Sequence, residues 1–123
     1  MAINCYEDLV VWQQAMDLVI LVYGATDLLP DRERYGLISQ LQRAAVSVPS
    51  NIAEGHGRRT TGEYLQLLSY SRGSLMEIRT QIEIARWRKY ITDEHSGTIR
   101  QLCDSVGRLL NGLMASLERK IKL

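Results

Sequence analysis

The sequence predicts an all-α fold, an antiparallel up-down-up-down four-helix bundle, and three observations carry that expectation. Apolar residues return at helical spacing in four long segments, Pro and Gly punctuate the gaps, and no useful length alternates as a strand would. A chain of 123 residues can remove roughly two-thirds of its unfolded surface from water in one core, without metals or disulfides. Residues 1–123 therefore read as a single domain with helices at about 8–28, 31–54, 61–91 and 93–120.

In the first segment Leu9, Trp12, Met16, Val19 and Tyr23 repeat at heptad spacing. Asp8 is placed to cap that helix, and Pro30 stops it by disfavouring helical geometry at Leu29. The second opens with Asp31 and Glu33 at the positive end of its dipole. Its apolar edge is Ile38, Leu41, Ala45, Val48 and Ile52, opposite Arg43, Ser47, Ser50, Asn51 and Glu54. Pro49 interrupts this helix and predicts a bend, and Gly55 is the expected left-handed C-terminal cap. The third begins with the capping-box pattern Thr60-x-x-Glu63 and continues through Leu68, Ser71, Leu75, Ile78, Ile82 and Ala85. Thr92 caps the fourth, whose stripe is Ile99, Leu102, Val106, Leu109, Leu113 and Leu117.

Small residues predict a close approach of helices two and three: Ala44, Ala45, Ser47 and Ala53 on one, and Ser69, Ser71, Gly73 and Ser74 on the other. Counting from the connecting loop places Arg43 near Glu77, which points to a partly buried ion pair across this seam. Apolar content also exceeds one stripe per helix. Val10, Val11, Leu18, Ile20 and Leu21, and later Leu65, Leu67, Trp87, Tyr90 and Ile91, lie off the main seams. A bundle helix buries about three positions in seven, so these residues predict self-association unless an irregular bundle covers them itself.

Charge is balanced in sum and uneven in place. Fifteen cations meet fourteen carboxylates, but Glu7, Asp8, Asp17, Asp27 and Asp31 precede the first cation, Arg32. Twelve of the cations are Arg, which favours planar pairing with carboxylate or phosphate. Cys5 and Cys103 follow no metal-ligand or disulfide spacing, so no metal or cofactor is expected, and reduced thiols fit a cytoplasmic protein. A basic leader with an apolar run is absent, and no uncharged run is longer than about ten residues, half of a bilayer span, so no membrane partner is expected.

The chemistry-bearing candidates centre on Gly55-His56-Gly57-Arg58-Arg59. This stretch lacks the third glycine of a dinucleotide fingerprint and the Lys-Ser/Thr of a P-loop. What remains is a cationic pair beside a helix N-terminus, where Arg58 and Arg59 can receive a phosphate, or else pair with Glu54 or Glu63. A ribonuclease reading would make His56 the general acid or base, but no orienting partner is evident, and the expectation is a non-catalytic protein. His95 reads as a surface residue, and Trp12 and Trp87 as core or interface anchors. Arg86, Arg88 and Lys89, and then Arg119, Lys120 and Lys122, offset the negative ends of helices three and four.

Three stretches resemble a known family: L-V-V-W-Q-Q-A (Leu9 to Ala15), Q-L-Q-R-A-A-V-S-V-P-S-N-I-A-E-G-H-G-R (Gln40 to Arg58) and G-S-L-M-E-I (Gly73 to Ile78). They are similar to the bacterial four-helix bundle proteins encoded in intervening sequences of 23S ribosomal RNA genes, over nearly the whole chain. The resemblance implies a ring, typically a homopentamer, with no established enzymatic activity. Related proteins serve as accessory subunits of diversity-generating retroelements, which implies RNA or DNA and a reverse transcriptase-like protein as partners. By position, the shared residues are Trp12, Gln40, Arg43, Ala44, Pro49, Asn51, Glu54, Gly55, Arg58, Gly73, Ser74 and Glu77. This chain departs from the pattern in having no Phe, with Tyr6 and Leu29 in places where Phe is more usual, and in its near-neutral charge. The functional expectation is a homo-oligomeric scaffold that contacts nucleic acid through Arg58, Arg59, His56 and Arg43; the rival is a protein-only adaptor.

Overall fold

The computed structural model describes residues 5–121, so Lys122 of the C-terminal cation cluster lies outside them. Four helices follow one another, α1 (Val10–Thr26), α2 (Leu37–His56), α3 (Thr61–Trp87) and α4 (Asp93–Ile121). Single 3-10 turns at Tyr6–Asp8 and Asp31–Glu33 precede α1 and α2, and no strand occurs among the described residues. Each helix packs on its neighbours in sequence and α1 closes on α4, with the most extensive interface between α2 and α3. Side-chain bonds give the directions. Ser74 meets Ser47 and Gln81 meets Gln40, while Arg79 meets Asp104 and Arg72 meets Asn111. Partner numbers fall as the others rise, which is the antiparallel relation in both pairs.

Several ends differ from expectation. Asp8 belongs to the first 3-10 turn, and the N-cap of α1 is Leu9, with no side-chain cap bond. The second helix starts at Leu37 rather than near Asp31, because the carboxylates occupy a separate 3-10 turn. Glu33 nonetheless serves the later start, since its Oε1 accepts the Leu37 N–H at 3.2 Å. Gly55 is no left-handed cap: α2 runs unbroken through Pro49 and Gly55 to His56, and its C-cap Gly57 has φ −85°. The other two expected caps are in place. Thr60 Oγ1 accepts the Glu63 N–H at 3.1 Å, and Thr92 Oγ1 accepts the His95 N–H at 3.1 Å.

The core stripes of α2 and α3 fall where their spacing placed them. Leu41, Ala45, Val48 and Ile52 are buried on α2, with Ile38 half-buried at its start, and Leu68, Ser71, Leu75, Ile78, Ile82 and Ala85 are buried on α3. On α1 the stripe is displaced. Val11, Ala15, Leu18 and Val22 are buried, whereas Met16 and Tyr23 of the expected seam are exposed. Val11 and Leu18, read above as leftover apolar residues, are therefore core. On α4 the buried edge is Ile99, Cys103, Val106, Leu110, Met114 and Leu117, with Leu102, Leu109 and Leu113 packed half-buried beside it. Burial pushes the Cys103 thiol up to about 12, so it stays protonated and unreactive at neutral pH.

One residue pays for a sharp stop. After α3, Lys89 has φ 62°, its N–H donating to Arg86 O at 2.9 Å and that of Tyr90 to Ala85 O at 3.0 Å. Those two bonds make a Schellman end, which normally places glycine at the left-handed position. An L side chain there costs roughly 1–2 kcal/mol. Lys89→Gly is expected to stabilise the protein by about 1 kcal/mol, seen as a higher urea midpoint at unchanged slope. A lower midpoint would mean that the lysine side chain holds this turn by a contact of its own.

Candidate functional site

The residues singled out by sequence fall on two neighbouring surfaces. At the α2–α3 connection, His56 sits in the last helical turn rather than in a loop, half-buried, with Tyr64 Oη 3.4 Å from its Nδ1 and the rings edge-on at 5.9 Å. Burial raises the pKa of the Tyr64 phenol, which keeps it protonated. Gly55 lets this pair form. A Cβ there would stand 2.8 Å from the Tyr64 ring and 3.2 Å from Leu67 Cβ. Arg58 is held by carboxylates on both sides, Glu54 at 2.6 Å and Glu63 at 3.8 Å. Arg59 is exposed and has no carboxylate within 4 Å among the described residues. The two arginines that looked equivalent in sequence are thus electrostatically different.

The second surface is a groove of about 290 Å³ between α2 and α3, lined by Gln40, Arg43, Ser47, Ser74, Glu77 and Gln81 over a floor of Ala44. Its two ends are closed by hydrogen bonds: Ser74 Oγ donates to Ser47 Oγ at 2.9 Å, and Gln81 Nε2 donates to Gln40 Oε1 at 3.3 Å. Asn51 Nδ2 braces the serine end by donating to Ser47 O and Oγ, both at 2.9 Å. Ser71 Oγ donates to Val48 O at 2.8 Å in the dry part of the same seam. The expected Arg43–Glu77 ion pair does not form. Both side chains are exposed on opposite lips and come no nearer than 4 Å, because the small Ala44 between the rungs leaves an opening there. Ser69 and Gly73 are likewise exposed rather than in the seam, which is made by Ser71 and Ser74. Gln81 is almost fully buried, and its Oε1 accepts no hydrogen bond.

A third cluster escaped sequence reading. Tyr90 is flanked by Arg32 and Arg88, whose guanidinium carbons lie 5.7 and 5.5 Å from its ring, and its hydroxyl donates to Glu33 Oε2 at 3.0 Å. Tyr90 had looked like surplus apolar area; its two cations are 56 residues apart in sequence, so no local pattern marks the group. Farther along α3, Arg86 binds Glu83 and Asp93, and Arg100 also reaches Glu83. The Arg86 guanidinium holds the Glu83 carboxyl below its usual range. Trp12 is half-buried against the edge of Tyr6 at 5.4 Å, whereas Trp87 is 68% exposed. No group of His, Cys, Asp and Glu that could hold a metal occurs among the described residues, and no helix there is long and apolar enough to cross a membrane.

Residues 7–112 match the family of 23S rRNA-intervening sequence proteins. The chain belongs to that family. A crystal structure of a protein of unknown function from the S23 ribosomal protein family of Bacteroides thetaiotaomicron superposes with a TM-score of 0.79. It covers 85% of this chain and 98% of that one at 18% identity, a likeness that speaks to the fold alone. No curated protein matches the chain in sequence. Within this 23S rRNA-intervening sequence protein, Gln40, Arg43, Ser74 and Glu77 of the shared motif line one groove, and Glu54, Gly55 and Arg58 meet at the adjoining end of the bundle.

Proposed function

We propose that this protein is a non-catalytic scaffold that assembles with copies of itself, five in the arrangement its family resemblance implies, and presents arginines to RNA or DNA. The observation that carries the assembly is apolar area left outside the core. Val10 and Ile20 on α1, Leu28 just after it, and Met76, Ile84 and Trp87 on α3 are all exposed in the single subunit. The nucleic-acid contact falls to Arg59 and Arg43, which have no carboxylate within 4 Å among the described residues, rather than to Arg58, which Glu54 and Glu63 occupy. With a net charge of only +1, each subunit offers few phosphate contacts, and binding depends on adding contacts from several copies. His56, turned edge-on to Tyr64 beside a neutralised arginine, supports a packing role over a hydrolytic one.

Fluorescence anisotropy with structured RNA and duplex DNA across a salt series, beside light scattering, tests the reading. Arg43→Ala and Arg59→Ala are each expected to weaken binding and to lower the salt slope by about one, while Arg58→Ala changes it less. Flat curves for the wild type at low salt would leave the rival, an adaptor that touches protein alone, as the better account.

A further inference from the structure

A knob and a groove on different faces of the bundle are both apolar and carry opposite charges beside them. The groove, about 380 Å³, lies between the C-terminal half of α1 and the start of α4. Ile20, Leu28 and Ile99 wall it, Gly24 leaves it open, and Glu94 and His95 form its rim. A Cβ at Gly24 would meet nothing within 4 Å in the subunit, so a larger side chain there would fill the groove without disturbing the fold. Asp27, the exposed residue that ends α1 beside the groove, and Glu94 both lack a cation within 4 Å among the described residues. The knob is Trp87, the last residue of α3, whose indole stands out of the surface with Ile84 one turn before it. Arg88, which lies against the Tyr90 ring, and Lys89 follow directly, exposed and without a carboxylate within 4 Å among the described residues.

We infer that Trp87 of one copy enters the groove between α1 and α4 of the next, with Arg88 and Lys89 facing Asp27 and Glu94. This contact rests on the self-assembly proposed above and gives it an interface. A large exposed aromatic beside cations is the kind of side chain that anchors an interface, and an open, apolar slot with a carboxylate, Glu94, on its rim is its complement. The groove lies on the α1–α4 side and Trp87 on the α3–α4 side, beside Glu83 and Arg100, so knob and groove occupy different sides of the subunit. Such a contact is head-to-tail: each copy offers a knob to one neighbour and a groove to the other, which builds a closed ring or a filament rather than a two-fold dimer.

Light scattering and native mass measurement on the wild type, Trp87→Ala and Gly24→Leu test this directly. Both substitutions lie in exposed positions, and matching helical circular dichroism would verify that each variant folds. The wild type is expected to be oligomeric and each variant alone monomeric. An equimolar mixture is then expected to form one-to-one dimers, because Trp87→Ala keeps its groove and Gly24→Leu keeps its knob. A monomeric wild type would overturn the assembly and this contact together. An oligomeric wild type with variants that still assemble, or monomeric variants that fail to complement, would overturn this contact alone.

Discussion

Leu18→Ala is expected to destabilise the protein by about 3 kcal/mol, whereas Met16→Ala, two positions earlier in the same helix, should cost less than about 1 kcal/mol. Leu18 is fully buried, and truncating it removes transfer energy and leaves a cavity between α1 and its neighbours. Met16 is 38% exposed and already loses little contact with the core. Thermal unfolding reads the difference as a fall of roughly 10 °C for Leu18→Ala, with Met16→Ala close to the wild type. Equal losses would mean that the core edge of α1 runs through Leu9, Trp12 and Met16 after all.

Gly55→Leu is expected to cost about 3 kcal/mol, at the upper end of overpacking penalties. Alanine at the same place should be milder, since better helix propensity returns up to about 1 kcal/mol of the strain. The clash is with the Tyr64 ring and the Leu67 Cβ, and only the ring can swing aside. Gly55→Ala in a Tyr64→Ala background is therefore expected to lose most of its effect, a coupling that denaturant melts of the four proteins would measure. Additive losses would show that the tyrosine ring does not set the requirement for glycine.

How much of this could be read beforehand differed by helix, for physical reasons. In α3 the buried edge alternates cleanly with Glu, Arg and Thr, so Leu68 through Ala85 was legible from spacing. In α1 most positions are apolar, so two rival edges fit a helical period equally well, and the small Ala15 and Ala25 disguised the buried one. Gly55 carried the ordinary signature of a helix end, but the neighbour that requires it, Tyr64, lies on the next helix. The candidate site was legible as a set of residues and not as a geometry. Spacing placed Arg43 across from Glu77 correctly in height, yet it could not show that Ala44 opens the seam between them. Nor could it tell which of Arg58 and Arg59 would find carboxylates, since that depends on the turn joining α2 to α3.

The hydroxyl and amide bonds between α2 and α3 also determine how the two rods are indexed against each other. Purely greasy edges of leucine and isoleucine would tolerate sliding by one helical repeat, with similar area covered. Here such a slip would strand the Ser71 and Ser74 hydroxyls and the Gln81 amide away from Val48, Ser47 and Gln40. Each buried polar group left without a partner costs about 1–3 kcal/mol. The seam thus acts as a ratchet with a single stop, and any surface spanning both helices, including the one that carries Arg43 and Glu77, inherits a unique alignment from it.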